Sequence, residues 1–283
     1  MDTDLIIDVG LHQGEDTGFY LHRGYRVVAV DADERLIARA RQVYADAVRR
    51  GRLHLVHCAV ADTAGEVAFH LSGQTLWNSL RPEVSARRNL HQGTVTVPAR
   101  RLPDLFDEYG VPLYCKIDIE GYDAVCLATL EEAAELPRYL SVETECVGEA
   151  ERLTDAQALE TLQRLHRLGY RRFKLVDQAS LMVLSPERQF YGASTRWDRL
   201  WERLGLTGGC RCHTAVRVNR RRLCQRHRYD FPPGASGPFG EELDGRWLDV
   251  HEAREALLRH RRDYFRMPSA KNYGFWCDWH AAF

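Results

Sequence analysis

Lysine is nearly missing from this chain: of 39 basic residues only Lys116, Lys174 and Lys271 are lysine, and the rest are arginine. A bias of that size follows codon composition, so a cluster of arginines carries no functional argument by its number alone. Long apolar runs are also lacking. None approaches the roughly 20 residues that a membrane-spanning helix requires. The chain starts MDTDLII, with no basic leader ahead of an apolar segment, and a cytoplasmic location is expected. Charge of one sign is absent too. A formal net charge of -1 gives no global attraction to nucleic acid or to an anionic membrane. Eight cysteines in a leaderless chain read as reduced thiols, with Cys115, Cys126 and Cys146 in apolar surroundings where they pack as small hydrophobes.

What is present is concentrated in residues 5–33, LIIDVGLHQGEDTGFYLHRGYRVVAVDAD. A continuous apolar run closes on Asp8, a turn with Gly10 and Gly14 follows, a short helical segment carries Thr17 and Tyr20, and a second apolar run ends on Asp31. Buried strands covered by helices on both faces do not alternate polar and apolar residues, so both runs predict a parallel sheet. The glycines let the backbone approach a ligand, and a helix starting near Glu15 directs its N–H groups to the same place. Asp31, about 20 residues past the turn, stands where a carboxylate accepts ribose hydroxyls. A dinucleotide site wants G-x-G-x-x-G, whose middle glycine makes room for a pyrophosphate; here that position is His12. An adenosyl cofactor without phosphates suits the turn better, which points to S-adenosylmethionine, with S-adenosylhomocysteine as product.

The run DVGLHQGEDTGFYL, then VVAVDAD, then KIDIEGYD at residues 116–123, resembles the FkbM-type family of S-adenosylmethionine-dependent methyltransferases over roughly residues 4–185. KIDIEG is its most specific piece, and GASGPFGE and CDWHA resemble segments of a subgroup. The resemblance implies an α/β class I methyltransferase fold, Rossmann-like, with a mostly parallel sheet and helices on both faces. It also implies transfer to a hydroxyl of a sugar, small metabolite or natural product.

In chain order, the apolar spacing of Leu36, Ile37, Ala40, Val43, Tyr44 and Ala47 predicts one helix ending at Gly51. A third strand over 53–57 leads to CAVAD, where such folds set the adenine, so the backbone at Ala59 is a cofactor candidate. Alternating patterns in 66–71 and 94–100 predict added strands or a hairpin beside the core sheet. By resemblance the intervening loop LWNSLRP reaches the pocket, making Asn78 and Ser79 site candidates; an ordinary turn is the competing reading.

VPLYCKIDIEG supplies the fourth strand, ending with Asp118 and Glu120. Ligands in open α/β sheets bind beyond the carboxyl ends of strands. Asp118 is expected to face the transferred methyl and the acceptor, with Glu120 supporting the loop or the methionine moiety. A fifth strand, RYLSVETE, brings Glu143 beside the fourth. A capping box at Thr154 and Gln157 starts a helix with Leu159, Leu162, Leu165 and Leu168 inward, and residues 170–184 read as a hairpin about Asp177 and Gln178.

Residues 186–283 are expected to form an irregular and helical C-terminal extension that covers the acceptor pocket of a core spanning 1–185. The reason is that the aromatic terminus NYGFWCDWHAAF would otherwise expose a large apolar patch. That docking would bring Asp278 and His280 to the acceptor, against the plainer reading that they only pack. Catalytic candidates are therefore His280, Asp118 and Glu143; cofactor candidates are Asp8, Gly10, Gly14, Thr17, Asp31, Ala59, Asn78, Ser79 and Glu120. Cys210, Cys212, His213, Cys224 and His227 supply enough ligands for zinc, but C-x-C is atypical spacing, and no metal is expected. The expected partner is a small-molecule acceptor, without membrane or nucleic acid, and a homo-oligomer is left open. Competing readings are methylation of nitrogen, peptide or RNA, a nicotinamide-dependent oxidoreductase, and a non-catalytic adenosyl-binding protein.

Overall fold

The computed structural model describes residues 2–144, 153–191, 211–266 and 275–283. The chain divides into two compact units, 1–142 and 143–283, whereas the sequence reading drew its line at 185.

Unit 1 is built on β1 (Asp2–Val9), with β2 (Arg26–Asp31) on one side and β7 (Pro112–Ile117) on the other, both parallel to it. β3 (Leu53–His57) extends the sheet beyond β2 and β8 (Tyr139–Glu143) beyond β7, again in parallel. Leu5 to Val9 of β1 and Val27 to Val30 of β2 are buried without alternation, as helix-covered parallel strands require. The connections include α1 (Glu15–His22), α2 (Glu34–Val43), α3 (Ala45–Arg49), α5 (Leu102–Tyr109) and α6 (Asp123–Thr129). The α/β class and the mostly parallel sheet are as expected.

The predicted helix across 36–47 is broken at Tyr44, whose backbone leaves the helical region (φ -106°, ψ 26°) and whose hydroxyl donates to the Gly14 carbonyl at 2.9 Å. Val43, counted as apolar-face, is exposed. A second sheet holds β4 (Ala59–Val60), β5 (Gly65–Ser72) and β6 (His91–Arg100) in the order β4-β6-β5, with β5 and β6 antiparallel. Between β5 and β6 the chain makes a flap that contains the one-turn helix α4 (Pro82–Ser85).

In unit 2, β9 (Arg172–Asp177) is flanked antiparallel by β10 (Met182–Leu184) and by β11 (Cys277–Ala282). The hairpin about 177–178 and the Thr154–Gln157 capping box both form, although Leu159 divides the helix in two, 155–158 and 160–167. The terminus docks, but as a strand: all six residues of β11 are buried. The expected irregular and helical extension thus also contains a strand. Burial on every residue removes the alternation by which a half-buried strand is recognised. The arginine-rich stretch forms a helix, Arg211–His227, and a second helix, Val250–Phe265, is capped by Asp249 and Glu252. Cys146 lies outside the described residues. Cys115 and Cys126 are buried free thiols. Among the described residues no helix is long and apolar enough to cross a membrane.

Candidate active site

Three parallel strands of unit 1 end together, and the chain crosses from one to the next by backbone contact. The Gly10 and Leu11 N–H groups donate to the Val30 carbonyl at 2.9 and 3.0 Å, and the Asp118 N–H donates to the Val9 carbonyl at 3.0 Å. Gly10 has φ +89°, and a Cβ there would lie 1.8 Å from the Asp118 carbonyl oxygen, so only glycine fits. Gly14, at φ +87°, caps α1 and would drive a Cβ into the Tyr44 ring at 2.8 Å.

Asp31 closes β2 with each carboxylate oxygen on one backbone donor: His12 N–H at 2.8 Å and Asp33 N–H at 2.8 Å. A carboxylate has about four acceptor positions, so two remain for ribose hydroxyls. Burial pushes Asp31 up to about 6, against those two N–H donors. His12 stands at φ +48°, and its ring bridges Glu15 and Thr75, both at 2.9 Å. The N–H that a glycine-rich turn would offer to a phosphate is thus spent on Asp31. Glu15 and Asp16 add negative charge to the first turn of α1, where an anion would otherwise bind. Burial opposes the ionised form of Glu15, yet the hydrogen bond and charge of His12 hold it below its ordinary range.

Behind this turn lies a group that sequence reasoning missed. Lys116 of β7 is buried, its Nζ 3.5 Å from Asp8, 3.4 Å from Asp16 and 3.4 Å from Asp118. Burial by itself would depress this ammonium, but Asp118, Asp8 and Asp16 outweigh it and hold it well above its usual range. Asp8 also accepts from Thr17 Oγ1 at 2.6 Å. Burial nonetheless raises Asp8, against Lys116 and Thr17. One cation faces three carboxylates, and the surplus negative charge is fixed at the strand ends. The available signal was a lone lysine inside the apolar run VPLYCKI.

After β7 the chain turns through Asp118, Ile119, Glu120 (φ +50°) and Gly121 (φ +86°). Asp123 holds the turn by accepting from the N–H groups of Ile119 and Gly121 at 3.0 and 2.9 Å. Asp118 is the more open carboxylate, its side chain 22% exposed. Asn78 and Ser79 lie nearby but face protein partners. The Asn78 amide donates to Asp33 at 2.9 Å and accepts from the Ser72 N–H at 2.8 Å; Ser79 Oγ donates to the Glu120 carbonyl at 2.8 Å.

Burial first, and the charges of Asp118 and Asp123 second, push Glu120 up to about 8 despite Arg87. Unfolded Glu120 releases its proton near the ordinary 4.5. Between these two values the folded state binds more protons, so stability falls as pH rises through that window. Asp31 and Asp123, each raised to about 6 chiefly by burial, act in the same direction between about 4 and 6. Glutamine copies the protonated acid. Glu120→Gln is therefore expected to be ~1–3 kcal/mol more stable than the parent at pH 8 and within ~0.5 kcal/mol of it at pH 4.5. Urea unfolding at the two pH values checks this; an equal effect at both would contradict it.

Ala59 is buried in β4, paired with Ala99 and packed with Phe69 and Val97. Glu143 is buried at the end of β8. In unit 2, Asp278 accepts from the Gln178 amide at 2.6 Å, and His280 sits opposite Lys174 in the β11–β9 pair. Burial, then the Lys174 charge, depress His280 to about 3. Of the cysteine and histidine set, Cys210 lies outside the described residues, as do the side chains of Cys212 and His213. Cys224 Sγ is 3.7 Å from Asp230, and His227 Nδ1 is 3.7 Å from Glu242.

No curated protein is matched by this chain. A solved S-adenosylmethionine-dependent methyltransferase from Geobacter sulfurreducens, in complex with S-adenosyl-L-homocysteine, is similar over 99% of this chain and 84% of its own, at 12% identity and a TM-score of 0.38. One from Thiobacillus denitrificans, with the same ligand, is similar over 99% and 86%, at 14% identity and a TM-score of 0.38. The strand-end acids and the glycine turn fall inside the span 8–172 matched by the methyltransferase FkbM domain, more than half of the 283 residues, and the chain belongs to the FkbM methyltransferase family.

Proposed function

We propose that the protein transfers a methyl group from S-adenosylmethionine to a hydroxyl oxygen of a small acceptor. The observation that carries this reading is the charge of the strand-end crevice: three carboxylates around a single ammonium, and two more acids in the first turn of α1 and at Asp31, suit a cationic donor and repel a pyrophosphate. Bound there, the sulfonium supplies an already activated methyl group. What remains for the protein is alignment, exclusion of water and removal of one proton.

Asp31 has the free acceptor positions for ribose hydroxyls, and the Gly10 and Gly14 turn lets the backbone come close. Asp118, more open than Asp8 or Asp16 and oriented by Lys116, is our choice for the base that accepts the hydroxyl proton. Glu143, buried at its strand end, remains a candidate for orienting the acceptor. His280 is a poor base at neutral pH, because a ring depressed to about 3 holds a proton weakly.

Calorimetry with S-adenosylhomocysteine and NADH tests the reading: the first should bind and the second should not. Asp31→Asn should weaken S-adenosylhomocysteine by about tenfold or more, because one carboxylate oxygen becomes an NH2 facing a backbone N–H donor. Unchanged affinity would remove Asp31 from the cofactor site. Methyl-transfer assays on matched hydroxyl and amine acceptors then test the oxygen specificity.

A further inference from the structure

The flap between β5 and β6 is fastened to both turns of the site. Thr75 Oγ1 meets the His12 ring at 2.9 Å, and Ser79 Oγ donates to the Glu120 carbonyl. From the two ends of α4, two arginines come to the Glu120–Gly121 turn. Arg87 Nη1 is 3.7 Å from Glu120 Oε2, and a Cβ on Gly121 would lie 3.8 Å from the Arg81 side chain and 3.3 Å from that of Val84.

Their number says nothing in an arginine-rich chain, but their place at this turn, with donors unused, does. Of the other arginines of unit 1, Arg26, Arg35, Arg100 and Arg101 hold the carboxylates of Asp4, Asp33, Glu108 and Asp104, Arg39 donates to Gln13, Arg52 donates to the Leu21 and Tyr25 carbonyls, and Arg88 lies over the Trp77 ring. Among the described residues Arg81, which is exposed, has no carboxylate within ion-pair distance. Among the same residues Arg87 has only Glu120, beyond hydrogen-bond reach and, with its carboxyl raised to about 8, largely uncharged at neutral pH. Two guanidiniums with unused donors thus flank the turn that carries Asp118. Two residues of chain span at most roughly 7 Å, so a group held by Arg87 beside Glu120 is within a small molecule's length of Asp118.

We propose that Arg81 and Arg87 form an anion subsite for the acceptor, so that the methylated hydroxyl belongs to a small molecule that also carries a carboxylate or phosphoryl group. The inference rests on the methyl-transfer reading above. Guanidinium forks bind both kinds of oxyanion through paired hydrogen bonds. The balance of charge favours a small ligand over nucleic acid: residues 75–91 hold Arg81, Arg87 and Arg88 beside Glu83, and the whole chain has a formal net charge of -1.

The test uses the full chain loaded with S-adenosylhomocysteine and follows inorganic phosphate and benzoate by NMR titration. Wild type should bind at least one probe, which of the two separating phosphoryl from carboxylate recognition. Arg81→Gln/Arg87→Gln should weaken it at least about tenfold, Arg87→Lys by less, and S-adenosylhomocysteine affinity should stay within about twofold in each variant. In a methyl-transfer panel, acidic hydroxyl compounds should be turned over and their neutral counterparts should not. Absence of probe binding, equal binding by wild type and the double variant, or equal turnover of neutral compounds would overturn the proposal. So would binding of a single-stranded oligoribonucleotide that the double variant abolishes. Failure of wild type to bind S-adenosylhomocysteine would instead defeat the methyl-transfer reading itself, and the subsite with it.

Discussion

Replacing Lys116 by methionine is expected to destabilise unit 1 by about 3–5 kcal/mol, the range for removing one partner of a buried charge network. The lysine ammonium is shared among Asp8, Asp16 and Asp118. Without it, Asp8 and Asp16, 1% and 3% exposed, would be like charges in a low-dielectric site and would have to take up protons. The loss should therefore be smaller in acid, where those protons are available, and greatest at neutral pH. Chemical denaturation at pH 5 and pH 8 reads both the size and the sign. Methionine matches the lysine stem in volume, so a drop below about 1 kcal/mol would mean that the ammonium contributes little beyond packing. Arginine should not substitute well: at 5% side-chain exposure the space suits a compact ammonium rather than a planar fork.

Gly10→Ala is expected to lose S-adenosylhomocysteine binding altogether and to lower stability by more than about 3 kcal/mol. Two effects add. A φ of +89° is unfavourable for alanine by about 1 kcal/mol or more. The methyl group would also lie 1.8 Å from the Asp118 carbonyl oxygen, so β1 and the turn after β7 would have to separate. That separation breaks the Asp118 N–H to Val9 bond and moves Asp118, the residue proposed to take the proton. Gly24→Ala is the matched control, since its φ is +95° but nothing lies within 4 Å of its added Cβ. Thermal unfolding of both variants with and without S-adenosylhomocysteine separates backbone strain from the clash. Equal losses in the two would show that the close approach at Gly10 has no energetic weight.

Both variants act where strands from distant parts of the chain meet, and this marks the limit of what could be read beforehand. The glycine turn, the acid at each strand end and the apolar runs of β1 and β2 are local signals, and they gave the parallel sheet and the strand ends at which the candidate site is placed. Asn78 and Ser79 were legible as loop residues near the site. Their partners, Asp33 and Glu120, lie 45 and 41 positions away, and nothing local indicates which groups they would satisfy. Tyr44 fitted a helical stripe, yet its bond to Gly14 breaks the helix.

Residue order by itself determined the strand–turn–helix start, the carboxylates at the strand ends and membership of the fold class, because periodicity and turn chemistry act over a few residues. Tertiary structure alone decided that two scarce lysines are buried: Lys116 among three carboxylates, and Lys174 donating to the Gly240 and Leu243 carbonyls at 3.1 and 2.8 Å. It also decided that an aromatic terminus becomes the strand β11. Charge compensation and burial are properties of neighbours in space, and those neighbours are fixed only when the strands have paired.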